Sequence, residues 1–276
     1  MAPAHPLGES RFVTTADGRR LHLRSAGSGE VTVVFEAGLG MSGVCWGLVA
    51  PLVARDARTV VYDRAGIGGS DDGPRPRTLD RLAGDLDALL SSLPGPFVLV
   101  GQSWGGPIVR LAAARGKSDI RALLLVDPSD EHGDDFFLPG TRRRMAVAGP
   151  LTRTLAGVGL YRLAARIGAA LPEPLFTQFR TENFGRRGAR ALHDEVRHFL
   201  PGLAELRAAP PDPGTRPVTI VSAGGGVLRA AHTASAAALP HGRLVVAEES
   251  GHNVMLDRPA LVVEEIRALI SAAAAP

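Results

Sequence analysis

The sequence predicts an α/β protein, a mostly parallel sheet flanked by helices, and three observations lead there. Short β-branched runs alternate with longer amphipathic runs, the pattern of βα units. The first two strand-like runs depart from it and read as an antiparallel hairpin. The stretch 128–215 holds no strand-like run but several helical ones.

Taken in order, the hairpin pairs RFVTT (11–15) with RRLHLRSA (19–26) around Asp17-Gly18, a dipeptide suited to a tight turn at a sheet edge. VTVVFEAG (31–38), RTVVYDRAG (58–66), PFVLVGQS (96–103), IRALLLVDPS (120–129), RPVTIVSAG (216–224) and GRLVVAEES (242–250) follow, making eight candidate strands. Between them TLDRLAGDLDALLSSL (78–93) sets Leu79, Leu82, Leu86, Leu89 and Leu90 on one helical face. A helix starts after Ser103 through IVRLAAAR, and Pro259 opens a final one, where proline suits a first turn. In the strandless stretch Leu151, Leu155, Val158, Leu163 and Ile167 recur at helical spacing, which predicts a helical cap over the C-terminal strand ends. APPDPGTRP (209–217) is the Pro/Gly-rich return. The expected organisation is a core of 1–127 and 216–276 with a cap of 128–215.

Composition narrows the function classes. At 276 residues, 45% hydrophobic and 21% charged, the chain can bury a real core and is not of disordered type. No run approaches the roughly 18 apolar residues of a membrane span, so no membrane partner is expected. MAPAHPLGESRFVTTADGRR lacks a basic region followed by an apolar one, and a cytoplasmic location is the expectation. Cys45 stands alone, which excludes an intrachain disulfide or a cysteine metal cluster. The net charge of +3 comes from arginines dispersed among acids, with Lys117 the single lysine, so no nucleic-acid partner is expected.

The sharpest motif is Gly101-Gln102-Ser103-Trp104-Gly105, a G-x-S-x-G between an apolar strand and a helix. The glycines permit a tight turn that lifts the Ser103 hydroxyl to the sheet edge, where helix N-terminal amides stabilise negative charge. Such a serine needs a base. Among eight histidines His252 alone follows the last strand and precedes the last helix; His5, His22, His132, His193, His198, His232 and His241 fall in the tail, hairpin, cap or surface segments.

Ser103 after the fifth strand, His252 after the eighth, YDRAGIGGSD (62–71) and FEAGLG (35–40) together resemble the α/β-hydrolase superfamily over about residues 10–127 and 216–272. That resemblance implies an eight-stranded, mostly parallel sheet with a cap inserted after the sixth strand. It also implies an oxyanion hole from two backbone N–H groups, which carry over to Leu39 and Trp104. Relatives often have His-Gly before the first of these, whereas this chain has Ala37-Gly38 preceded by Glu36. A carboxylate there would oppose a developing oxyanion, so Glu36 is expected to turn away toward backbone or an arginine such as Arg64. Asp63 and Arg64 are expected to be a structural ion pair.

Most relatives carry the triad acid after the seventh strand, yet here that place reads VSAGGGVLRA, with no acid between Asp212 and Glu248. Two accounts compete. Some members hold the acid after the sixth strand, which nominates Asp127, with Asp130 and Glu131 next along the loop; adjacent strand ends lie about 4.8 Å apart, so the same imidazole is within reach. Otherwise the pair is a Ser-His dyad, or the chain has left hydrolysis altogether. Gly224 to Gly226 are then expected to leave space near His252.

Six of the nine phenylalanines, Phe136, Phe137, Phe176, Phe179, Phe184 and Phe199, fall in the cap, where they line an apolar pocket or build the cap's own core. Arg142, Arg143 and Arg144 read as a solvated helical face rather than an anion site. The resulting expectation is a serine hydrolase acting on an ester, lactone or thioester with an apolar portion. It needs neither metal nor organic cofactor, and the serine at the elbow excludes the aspartate nucleophile of related dehalogenases and epoxide hydrolases. Its rivals are an acyltransferase or cyclase and a non-enzymatic small-molecule receptor. The oligomeric state is left open.

Overall fold

Each β-branched run forms a strand; β1 begins two residues before its pattern, and the other seven are shorter than theirs. The computed structural model describes residues 5–274, so the first four residues of the segment read for a leader, and the last two of the expected core, lie outside it. The strands are β1 (Glu9–Thr14), β2 (Arg20–Ala26), β3 (Thr32–Glu36), β4 (Arg58–Tyr62), β5 (Phe97–Gln102), β6 (Ile120–Val126), β7 (Val218–Ala223) and β8 (Gly242–Ala247). They form one sheet in the order β1-β2-β4-β3-β5-β6-β7-β8, in which β2 runs antiparallel to both neighbours and every other pairing is parallel. The patterns of β3 to β8 all overran at their C-terminal ends, where loop residues that line the crevice follow the strands.

Helices cover both faces: α1 (Ala50–Val53), α2 (Leu79–Ser91), α3 (Gly105–Arg115), α7 (Arg229–Ala238), α8 (Val254–Asp257) and α9 (Pro259–Ala274). Between β6 and β7 lie α4 (Pro139–Gly157), α5 (Leu175–Asn183) and α6 (Arg186–Ala208), with 3₁₀ segments at Asp134–Phe137 and Leu160–Gly168. No described helix is long and apolar enough to cross a membrane.

The alternation of side chains along a strand divides the core in two. Val33, Phe35, Val98, Val100 and Leu124 face one cluster with Trp46 and Ile266, while Val34, Leu99, Leu123 and Leu125 face the other with Leu82, Leu86 and Ile108. The capping helices join both: Leu171, Leu175, Phe179 and Phe184 enter the first cluster, and Phe199, Leu203 and Leu206 the second. Strand order reverses at β3, since β4 lies on one side of it and β5 on the other. In open α/β sheets that reversal leaves a crevice beyond the strand ends where ligands bind. The loops after β3 and β5 flank it here.

Candidate active site

Ser103 sits at the turn from β5 into α3 with φ 50, a left-handed conformation that is strained for a residue with a side chain. The turn is so tight that its glycines have no substitutes. A Cβ on Gly101 would lie 2.5 Å from the Gly105 carbonyl oxygen, and one on Gly105 would lie 2.5 Å from that of Glu36. Both glycines therefore serve close backbone approach, and the approach fixes where the hydroxyl stands.

Asp127 ends β6, also with positive φ, at 42. Its amide donates to Val221 O at 2.7 Å, its Oδ1 accepts the Ala223 N–H at 2.8 Å, and its Oδ2 accepts His252 Nδ1–H at 2.6 Å. The end of β7, where the resemblance implies an acid, here supplies an amide that binds the Asp127 carboxylate. Asp127 is buried, whereas the His252 side chain is 51% exposed, so the imidazole has solvent on its outer edge. Its Nε2 meets the Gln102 side-chain amide at 3.3 Å, and that amide also reaches the His252 carbonyl at 3.4 Å. A donor facing Nε2 and an acceptor facing Nδ1 select the tautomer with its lone pair on Nε2.

The next carboxylates along the loop face elsewhere. Asp130 accepts from Ser235 at 2.6 Å and from the His132 amide at 2.9 Å, and Glu131 is bound by both terminal nitrogens of Arg110 at 2.7 Å. Burial alone would raise the Asp130 carboxyl, yet these hydrogen bonds hold it below the usual carboxylate range. Asp130, Glu131 and His132 bring three ligand atoms within 4.8 Å of one another, but both carboxylates are already engaged, so the donor set is poor for a cation. The triple glycine also differs from expectation. Gly226 lies against Asp127, a Cβ there falling 3.7 Å from Oδ1, Gly224 is crowded by Ala247 O at 2.9 Å, and Gly225 meets nothing. The space is beside the acid rather than beside His252.

The loop after β3 is held by buried charge. Arg64 donates to Glu36 at 2.6 Å, to the carbonyls of Ala37 and Gly38, and to both oxygens of Glu195 on α6 at 2.8 Å. Two flanking carboxylates keep the guanidinium charged although burial opposes it. Tyr62 donates its hydroxyl to Glu36. Glu36 thus turns from the crevice, as its surroundings required. Asp63 and Arg64 do not pair with each other: Asp63 accepts from His22 and from the Gly43 and Gly69 amides. Glu195 also accepts the Gly40 N–H at 2.9 Å, and Asn183 accepts that of Ser42 at 2.7 Å. The cap therefore fixes the loop that carries Leu39. The N–H groups of Leu39 and Trp104 donate to no protein acceptor among the described residues, which leaves both free for a ligand.

Gly38, Leu39, Ser103 and His252 line one cavity of about 750 Å³, walled by Met41, Phe136, Leu138, Met145, Ile167, Phe199 and Leu228. The phenylalanines divide: Phe136 and Phe199 face the cavity, while Phe179 and Phe184 pack inside the body's own cluster. Phe199 also packs at a tilt of 55° against the buried Trp104 ring, 4.8 Å between centroids. Sequence reading missed His232, which is fully buried: its Nε2–H donates to Pro128 O at 2.8 Å, and its Nδ1 meets Ser222 at 2.9 Å and lies 3.8 Å from Asp127 Oδ1. It also missed Glu195 and Gln102. Of these, only Gln102 had a signal, its place inside the elbow motif.

A model of the alpha/beta hydrolase family matches residues 33–265. The uncharacterised protein YqjL of Bacillus subtilis is 36% identical over 118 residues, 42% of this chain and 47% of that one. N-formylmaleamate deformylase of Pseudomonas putida is 33% identical over 117 residues, 41% of this chain and 43% of that one. The match thus spans less than half the length of either relative. An esterase from Exiguobacterium antarcticum superposes with a TM-score of 0.75 at 19% identity, covering 95% of this chain and all of its own, a likeness of fold. With the elbow, the strand order and a family match running from β3 into the last helix, the chain belongs to the alpha/beta hydrolase family.

Proposed function

We propose that the protein is a serine hydrolase that cleaves a carboxylic ester, lactone or thioester through an acyl-enzyme on Ser103. The observation that carries this reading is the 2.6 Å contact of His252 Nδ1 with a buried Asp127, on the same sheet edge as a strained serine. In the proposed cycle the Ser103 hydroxyl takes the place of the Gln102 amide at Nε2, gives its proton to that nitrogen and bonds to the substrate carbonyl carbon. The oxygen that gains charge is held by the Leu39 and Trp104 amides. His252 passes the proton to the departing alcohol or thiol, and Asp127 stabilises the imidazolium meanwhile. Water then repeats the sequence on the acyl-enzyme and restores Ser103.

The half-exposed imidazole gives water a route to the acyl group, which favours hydrolysis over acyl transfer or cyclisation. The apolar cavity wall supports a substrate with a greasy acyl or ring portion. A relative named as a deformylase of N-formylmaleamate adds small acyl amides to the panel. Cys45 is buried and free, in accord with a cytoplasmic location. Incubation with a fluorophosphonate probe should label Ser103 rapidly and release should follow with p-nitrophenyl esters of graded chain length. Ser103→Ala should lose both. A folded wild-type protein that takes no label would remove the acyl-enzyme reading and leave the receptor.

A further inference from the structure

Nine large hydrophobic side chains are strongly exposed among the described residues, and only Phe12 lies away from the cap and the cavity mouth. Val147 and Leu151 share the solvent face of α4, opposite the buried Gly149 and Ala156, and the exposed Val158 follows at the C-cap. Leu160 and Leu163 continue that surface along the adjoining 3₁₀ segment, whose buried residues are Ala165 and Gly168. The same stretch is strongly basic. Residues 136–172 contain Arg142, Arg143, Arg144, Arg153, Arg162 and Arg166 and no Asp or Glu. All six are exposed, and none pairs with a carboxylate among the described residues, whereas arginines elsewhere, such as Arg19, Arg64, Arg110 and Arg115, do.

We propose that this face of the cap lies on an anionic phospholipid bilayer, its apolar side chains in the headgroup boundary and its guanidiniums on lipid phosphates. A mixed apolar and cationic surface is what interfacial binding requires. Charge complementarity selects the occupant. A two-fold contact with a second copy would set the unpaired arginines of this face, Arg143 and Arg144 among them, against their own copies, while an anionic lipid surface compensates them. The surface runs into the cavity mouth through Leu138, Arg144, Ile167 and Val227, so docking turns the opening above Ser103 toward lipid. The absence of a spanning segment in the sequence does not bear on a face that rests on the membrane.

The full chain, mixed with vesicles of 70% phosphatidylcholine and 30% phosphatidylglycerol, should float with them at low salt and be released by 0.5 M NaCl, an electrostatic signature. It should not float with phosphatidylcholine alone. Arg143→Gln with Arg144→Gln, the two cations that flank Val147 and Leu151 on α4, should weaken binding about 25-fold, each cation near an anionic surface being worth about fivefold. Leu151→Ser with Leu163→Ser should weaken it independently, with far-UV circular dichroism unchanged in both variants. The readout is binding, so it does not depend on the acyl-enzyme chemistry. Failure of the wild-type chain to float at low salt, or equal binding to both vesicles, would overturn the proposal. So would a sedimentation equilibrium dimer that the leucine variant dissociates, since a second copy would then cover the face.

Discussion

Asp127 is fixed from two directions, and that decides what an isosteric change does to it. Oδ1 faces the Ala223 N–H, a donor that cannot tolerate another donor, so asparagine at this position must direct its oxygen to Ala223 and its NH₂ to His252. The amide then faces Nδ1 as a donor and pushes the imidazole proton to Nε2, where the base needs a lone pair. Asp127→Asn should lower kcat by on the order of 10³ to 10⁴ with little change in melting temperature, and steady-state kinetics beside a thermal melt checks it. A rate within a few-fold of wild type would return the Ser-His dyad. Asp130 predicts a pH effect of definite sign. Its carboxyl is held below the ordinary range in the folded chain, so it binds protons less readily than in the unfolded one. It therefore adds stability that is complete above the unfolded value near 4 and is lost as pH falls through the folded one. Urea midpoints taken downward from pH 5 should drop less steeply in Asp130→Asn than in wild type. The residues proposed to react were legible because each stands at a strand end beside a short motif or a conspicuous gap. His232 was not, because a histidine in the alanine-rich RAAHTASAAA reads as solvent-facing until the fold buries it beside Asp127.

At the scale of elements, the loop after β3 takes its shape from a helix far away in sequence. Glu195 on α6 binds Arg64 with both oxygens and the Gly40 amide with one, across 155 residues to Gly40. Glu195→Gln keeps the volume, gives up the charge and turns one acceptor into a donor facing Arg64 or Gly40. Breaking a buried ion cluster in this way should cost about 3 kcal/mol of stability. Because the loop carries Leu39, the proposed oxyanion donor, kcat should fall well below the wild-type value while KM changes little, measured several degrees under the variant's melting temperature. A rise in KM with kcat unaltered would mean that the loop shapes the cavity and not the oxyanion site. No local pattern announces such a link. Periodicity located α2 closely because its leucines recur on one face, a first-turn proline located α9, and neither signal marks α7, whose buried residues are mostly alanine and serine. Strand ends were overread for a related reason: Asp127, Ser103 and the residues after Glu36 continue an apolar run in sequence but leave the sheet in space.

Over the whole molecule, the sequence pattern suggests a cap set on a core, whereas packing makes them one body. Trp46 shares its cluster with Leu171 and Leu175, and a Cβ on the neighbouring Gly47 would meet those two leucines at 3.0 and 2.7 Å. Trp104 packs in the other cluster beneath Phe199, and Gly202 on the same capping helix comes so close that a Cβ would lie 2.9 Å from the indole. Each tryptophan therefore stands at a seam between strand-borne and cap-borne side chains, one on each face of the sheet. Apolar area shared across both seams couples the two parts, since separating them would expose surface on both. Chemical unfolding should accordingly be a single cooperative transition. The pair Trp46→Phe and Trp104→Phe leaves one indole reporter at a time, and within each variant the fluorescence midpoint should coincide with that of far-UV circular dichroism. An indole signal that changed first, while helix and sheet persisted, would show the cap lifting from the body as a separate unit. Coincidence at both seams would mean that the cavity roof is as stable as the sheet, so that ligands enter through the existing mouth at Leu138, Ile167 and Val227 rather than by opening the cap.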